Sequence, residues 1–231
     1  MNKRTLLTLV VFASTTMMVL GQNSDFQKFH FGLKASPTIN WLRVDEEGWE
    51  SDGSRIGMSY GLMTEFAITK NYAFATGLEI NYRGGKYVGP IIGIDGAGNQ
   101  TIEEAIITQK LQYVEIPLGL KLKTNEIGYI TYYGLFGALP GFLVKAKQNV
   151  DFEKPTIEDK ENNGNQSMFY AINAHLNVGA GIEYNLGGNT SLTAGIHYNN
   201  GLLDIYKGPK DQDLSAQLRT DAIVLNIGIF F

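Results

Sequence analysis

Side chains able to do acid, base or ligand chemistry fall repeatedly on the polar positions of alternating apolar and polar stretches: Glu65, Glu79, Glu115 and Glu183, the cations Lys34, Arg83, Lys121 and Lys123, and His30, His175 and His197. Paired carboxylates can share acid and base work, and a histidine beside a hydroxyl, as His197 with Ser191 or Thr193, can activate a nucleophile. That chemistry needs a base within hydrogen-bond reach and a third group to orient it, and nothing beyond shared parity brings these residues together; no Gly-x-Ser-x-Gly element occurs. Gly84-Gly85-Lys86 is no phosphate loop, because the spacing Gly-x-x-x-x-Gly-Lys-Ser/Thr is absent. Acidic runs at Asp45, Glu46, Glu47, Glu50 and Asp52 and at Asp151, Glu153, Glu158, Asp159 and Glu161 lack the spacing of an EF-hand. They read as solvated loops. The expectation is therefore a buried ion-pair and hydrogen-bond network of Lys34, Glu65, Glu79, Arg83, Glu115, Lys121, His175, Glu183 and His197, with no catalytic residue, cofactor or metal site.

The 231 residues contain no cysteine, which removes disulfide frameworks, thiolate metal sites and cysteine nucleophiles. A net charge of −4 lacks the basic footprint of phosphate-backbone binding, so no nucleic-acid partner is expected. Glycine is abundant, at 27 residues, and 44 % of the chain is hydrophobic, yet the mean hydropathy is only −0.10. Apolar residues must be interleaved with polar ones.

The start of the chain has its own character. Lys3 and Arg4 precede an apolar run, Leu6 to Ala13, and Val19 and Gly21 stand at the −3 and −1 positions of a cleavage site before Gln22. Residues 1–21 are expected to be a signal peptide and residues 22–231 one domain. Loss of Lys3 and Arg4 with the leader would move the net charge from −4 to −6. Past Gln22 no run approaches the roughly 18 apolar residues of a spanning helix.

Period-2 alternation fills the rest. Phe29 to Trp41, Ile56 to Ile68, Tyr72 to Tyr82, Val114 to Lys123, His175 to Leu186, Ser191 to Asn199 and Ala222 to Phe231 each carry apolar residues on one parity; the opposite parity is mostly polar, charged or small, with Met63 in the second and Val224 and Phe230 in the last as exceptions. Residues 127–145 place Tyr132, Tyr133, Leu135, Phe136, Pro140 and Phe142 on both parities, so a bulge is expected there. These eight stretches predict an all-β fold, an eight-stranded antiparallel up-and-down transmembrane β-barrel. Tight connections at 70–71, 124–126 and 187–189 alternate with long polar ones at 43–54, 83–104, 147–169 and 203–220, as expected of short periplasmic turns and long external loops. Aromatic belts are expected at Phe29, Tyr72, Tyr129, Tyr184 and Phe231 on the periplasmic side and at Trp41, Tyr60, Tyr82 and Tyr198 on the external side. A soluble lipocalin-like barrel with the rings inside is the alternative; the glycines and charges of the opposite face suit a narrow lumen better than a solvated exterior. Eight strands leave an interior filled by side chains, which favours a network over a pore.

Phe31-Gly32-Leu33-Lys34-Ala35, Gly77-Leu78-Glu79-Ile80-Asn81-Tyr82 leading into Gly84-Gly85, Tyr113-Val114-Glu115-Ile116-Pro117-Leu118, Gly179-Ala180-Gly181-Ile182-Glu183-Tyr184 and the terminal Asn226-Ile227-Gly228-Ile229-Phe230-Phe231 resemble the PorT-like outer-membrane β-barrel family over essentially the whole chain after the leader. The resemblance implies an outer-membrane barrel whose C-terminal strand, ending in Phe231, is read by the barrel-assembly machinery. It transfers no catalytic residue. The expected function is a non-enzymatic structural or interaction role in the outer membrane, in contact with its lipid and with a protein partner at the external loops. A subunit of a type IX secretion translocon, a lipid-modifying enzyme and a small pore stay as alternatives.

Overall fold

A computed structural model describes residues 28–45, 48–94, 100–152, 160–162, 166–207 and 217–231. The leader expected at 1–21 lies outside these residues, as do Glu46, Glu47, Glu153, Glu158 and Asp159 of the acidic runs. Eight strands form the wall: β1 (Phe29–Asp45), β2 (Arg55–Ala67), β3 (Tyr72–Ile94), β4 (Gln100–Glu115 continued by Leu118–Lys123), β5 (Ile130–Phe152), β6 (Ile172–Gly187), β7 (Thr190–Gly201) and β8 (Gln217–Phe230). Each pairs antiparallel with the next, and β8 pairs with β1, so the sheet closes on itself. Closure leaves no edge in the wall and satisfies the backbone without a helix. No helix among the described residues is long and apolar enough to cross a membrane.

β4 is one strand despite Pro117, because the register against β3 is unbroken: Glu79 opposes Glu115 and Thr76 opposes Leu118. Proline only withholds one donor from the ladder. The bulge lies at Val144, where Gln112 opposes Lys145 but Tyr113 opposes Leu143. One extra residue flips every side chain beyond it. Accordingly Tyr133, Leu139 and Gly141 face inward before the bulge, and Ala146 and Val150 after it.

The long connections differ from expectation. Residues 83–94 and 100–104 are not loop but strand, a hairpin in which Arg83 opposes Leu111 and Ile94 opposes Gln100, and β5 likewise runs to Phe152. The physical reason lies on the inward face. Tyr87, Ala105, Ile107, Leu111, Tyr113, Ala146 and Val150 are buried there with Leu42, Phe169, Ile205 and Leu218, a second, apolar core above the charged interior. Glycines at 84, 85 and 89 and the loss of alternation made this stretch read as loop.

Glycine sets how this core closes. β2 ends at Arg55, opposite Asn40, so residues 41–45 of β1 extend beyond it. β3 parts from β2 after Ser59 and Asn81 and turns at Gly84 (φ 139°), which favours glycine. Gly85 then lies directly on β1; a Cβ there would stand 2.7 Å from the Leu42 nitrogen and 3.0 Å from Trp41 backbone atoms. Gly85→Val should displace the hairpin from β1 and cost about 1–3 kcal/mol, by the usual penalty of overpacking. Faster proteolytic nicking of the β3–β4 hairpin, with the membrane portion still protected, is the expected observation; unchanged nicking would contradict this closure.

Candidate functional site

The interior side chains arrange in tiers along the barrel. At the end carrying the tight turns, Lys121 on β4 bridges Glu65 of β2 and Glu183 of β6, and Lys123 contacts the same two carboxylates at 2.5 and 3.0 Å. The Lys121 ammonium also sits 4.1 Å from the centroid of the Tyr133 ring. These four residues share one level because β2, β4 and β6 alternate around the wall, so inward positions far apart in sequence face each other across the lumen. His30 of β1 borders the same level and stands edge-on to Phe230 at 6.5 Å.

One tier further in, Lys34 pairs with Glu79, and the Tyr133 hydroxyl lies 3.3 Å from His197 Nε2. A cavity of about 60 Å³ opens between these groups, lined also by Thr193, Asn177 and Asn226. It has room for water. Unpartnered Thr193 Oγ1 and Asn177 Oδ1 supply polar contacts for it.

The third tier is the most enclosed. Arg83 donates Nε to Glu115 Oε1 at 2.6 Å and Nη2 to Oε2 at 3.0 Å, and Asn81 donates to the same Oε2 at 3.0 Å. A planar guanidinium gripping a carboxylate with two parallel bonds is the geometry in which a buried pair best offsets its lost hydration. His175 Nε2 lies 2.8 Å from Thr220 Oγ1, and His175 Nδ1 lies 4.0 Å from Glu115 Oε1. Hydroxyl, imidazole and carboxylate thus stand in the order of a nucleophilic relay. Thr220, His175 and Glu115 are all wholly inaccessible, with the apolar core directly above, so no substrate carbonyl can reach the hydroxyl. At that core's rim, burial lifts the Tyr206 phenol above its ordinary range.

Lys34, Glu65, Glu79, Arg83, Glu115, Lys121, Glu183, His175 and His197 thus all face the interior, and the four carboxylates meet the four cations in complete pairings. His197 partners Tyr133 rather than Ser191 or Thr193. Asn81, Asn173, Thr220 and Asp221 were not singled out in the sequence. Asp221 shows why: it is an outward position opposite Trp41, yet it is only 1 % exposed because Arg43 Nε meets it at 2.7 Å and the Gly201 amide donates to it at 2.8 Å. Only its polar residue type on an apolar parity gave a signal. No three of the described His, Asp and Glu residues are placed to hold a metal ion.

Outside, aromatic side chains gather in two rings. At the turn end Phe29, Tyr72, Tyr129, Tyr184 and Phe231 are exposed, with Phe29 against Phe66 at 5.2 Å and Tyr129 against Tyr184 at 6.2 Å. At the loop end Trp41 stacks on Tyr198 at 6.1 Å and Tyr60 meets Tyr82 at 6.3 Å. Between them the outward positions are mostly apolar, among them Leu62, Leu78, Leu118, Val178 and Leu225.

The family described as outer membrane protein beta-barrel domain matches residues 15–207. No curated protein matches the sequence. Among solved structures, neisserial surface protein A is 15 % identical with a TM-score of 0.46, covering 87 % of this chain and 95 % of that one. The attachment invasion locus protein of Yersinia pestis is 20 % identical (TM-score 0.38; 87 % and 98 % covered), and OprG from Pseudomonas aeruginosa is 13 % identical (TM-score 0.43; 87 % and 95 % covered).

Proposed function

The chain belongs to the outer membrane protein β-barrel domain family, and from that premise we propose that it is a non-enzymatic outer-membrane protein that displays a rigid external platform on a side-chain-filled barrel. In this reading the leader exports the chain, the turn end with both strand termini faces the periplasm, and the end with the long hairpins faces outward. One observation carries it: the lumen holds paired charges capped by an apolar core, which favours neither a solute path nor an accessible reactive group. The β3–β4 hairpin and β5 rise past the loop-end aromatics as continuous sheet, which suits them to carry a protein contact at that end.

The PorT-like resemblance enters the same proposal as a branch of the family. Its most specific stretch, Tyr113 to Leu118, has structural work in this barrel: Tyr113 packs in the apolar core, Glu115 holds Arg83 and Ile116 donates to the Pro140 carbonyl at 2.9 Å. Such a stretch reports how the wall is built and not what the barrel is for, so the translocon reading stays secondary.

A deletion strain separates the readings. Type IX cargo should still reach the medium and the lipid A mass should be unchanged, and the purified chain should give no conductance steps in a planar bilayer. Loss of cargo export would move the protein to the translocon reading; an altered lipid A mass would make it an enzyme.

A further inference from the structure

We propose that the outward-facing pair Arg43 and Arg219 binds the phosphate monoester of a membrane lipid at the loop-end boundary of the bilayer. The two arginines stand directly opposite each other on β1 and β8. Like charges so placed repel. Both are on the outer surface, since the buried residues beside them are Leu42, Leu218 and Thr220.

Their donors are unequally used. Arg43 is committed to Asp221, Nε to Oδ2 at 2.7 Å and Nη2 to Oδ1 at 3.1 Å, and its Nη2 also reaches the Gly201 carbonyl at 3.0 Å. Arg219 has only Gln217 Oε1, at 3.3 Å from Nη2, and meets no carboxylate among the described residues. Its Nε is buried without a hydrogen-bond partner. With Nε enclosed, the donors that can meet an acceptor from outside are those at the Nη end of the fork, of which Nη2 alone is engaged, by Gln217, among the described residues. A cavity of about 270 Å³ lies against both arginines, completed by Val44, Asp45, Ser51 and Gln217.

Height selects the acceptor. The pair sits two residues along β1 from Trp41, whose stack with Tyr198 belongs to the loop-end aromatic ring. Aromatic rings of this kind mark the headgroup level, so the acceptor is a headgroup oxygen, and a phosphate presents several oxygens to a guanidinium fork. Asp45, exposed and opposite Gln217, is the carboxylate among the described residues that lines this cavity without an arginine partner, and it weakens the site for any anion. This placement rests on the spanning orientation proposed above.

The test is native mass spectrometry of the full chain in detergent micelles, titrated with phosphatidic acid or with phosphatidylcholine of the same acyl chains. Phosphatidic acid should be retained in preference. Arg219→Gln should weaken its retention about tenfold without affecting phosphatidylcholine, and Arg219→Lys, which keeps charge but loses the fork, should fall between. Asp45→Asn should strengthen retention. Equal retention by Arg219→Gln, or displacement of the lipid by millimolar inorganic phosphate, overturns the proposal. Gel mobility before and after boiling reports barrel closure for every variant, so a failure of the barrel reading would show as a missing shift in the unaltered chain and stay distinct from a failure at the arginines.

Discussion

Replacing Glu115 by alanine should destabilise the barrel by about 3–5 kcal/mol, the usual cost of leaving one partner of a buried ion pair uncompensated. Arg83 and Glu115 side chains are both fully inaccessible, and the carboxylate also accepts from Asn81 at 3.0 Å, so its loss strands a guanidinium and an amide together. No water can replace it from above, because Tyr113 and Leu111 of the apolar core cover that tier. Urea titration of the chain refolded into lipid vesicles, read by the mobility difference between folded and boiled samples, gives the number. Glu115→Gln should cost less, since it keeps the hydrogen-bonding oxygen. The double replacement Arg83→Met with Glu115→Leu should recover most of the loss, because an apolar pair next to an apolar core has no charge to desolvate. A loss under about 1 kcal/mol for Glu115→Ala would mean that the third tier is hydrated.

A charge on the other face should act through depth. Leu118 is 41 % exposed and lies midway along the outward face of β4, between Leu122 opposite Tyr72 and Gln112 opposite Tyr82. Leu118→Arg should therefore cost about 2–4 kcal/mol at the bilayer midplane, whereas Leu122→Arg, level with the turn-end aromatics, should cost about 0–1 kcal/mol. Gly119, the next residue, faces inward; a Cβ there would meet Leu135 Cδ2 and the Phe136 backbone oxygen at 3.4 Å, the edge of ordinary van der Waals contact. Gly119→Ser should thus be milder than Leu118→Arg despite being buried. Equal effects at Leu118 and Leu122 would argue against a membrane-spanning wall, since water does not grade a surface arginine by height.

Much of the wall was legible because a strand's side chains alternate with period two, and a chain that must present one face to lipid and the other to a narrow lumen writes both into its parity. Val114, Ile116, Leu118, Leu120 and Leu122 could be assigned outward and Glu115, Lys121 and Lys123 inward without coordinates, and the bulge expected within 127–145 lies at Val144, whereas Tyr132 and Tyr133 occupy both parities in a regular stretch because the Tyr133 ring is buried in the lumen. The hairpin beyond Arg83 was not legible. Where β3 and β4 leave the bilayer the inward face turns largely apolar while the outward face mixes Lys86, Thr108 and Lys110 with Val88 and Ile106, so the alternation is lost and a stretch with Gly84, Gly85 and Gly89 reads as loop.

The sequence by itself determined the number of strands, their facing and the types of side chain in the lumen, since these follow from local periodicity. Which carboxylate meets which cation was decided only by the closed ring: shear between strands sets the height of each inward residue, bringing Lys121 between Glu65 and Glu183 and leaving Arg83 to Glu115. Register between distant strands is a property of the whole barrel, and so is the sealing core.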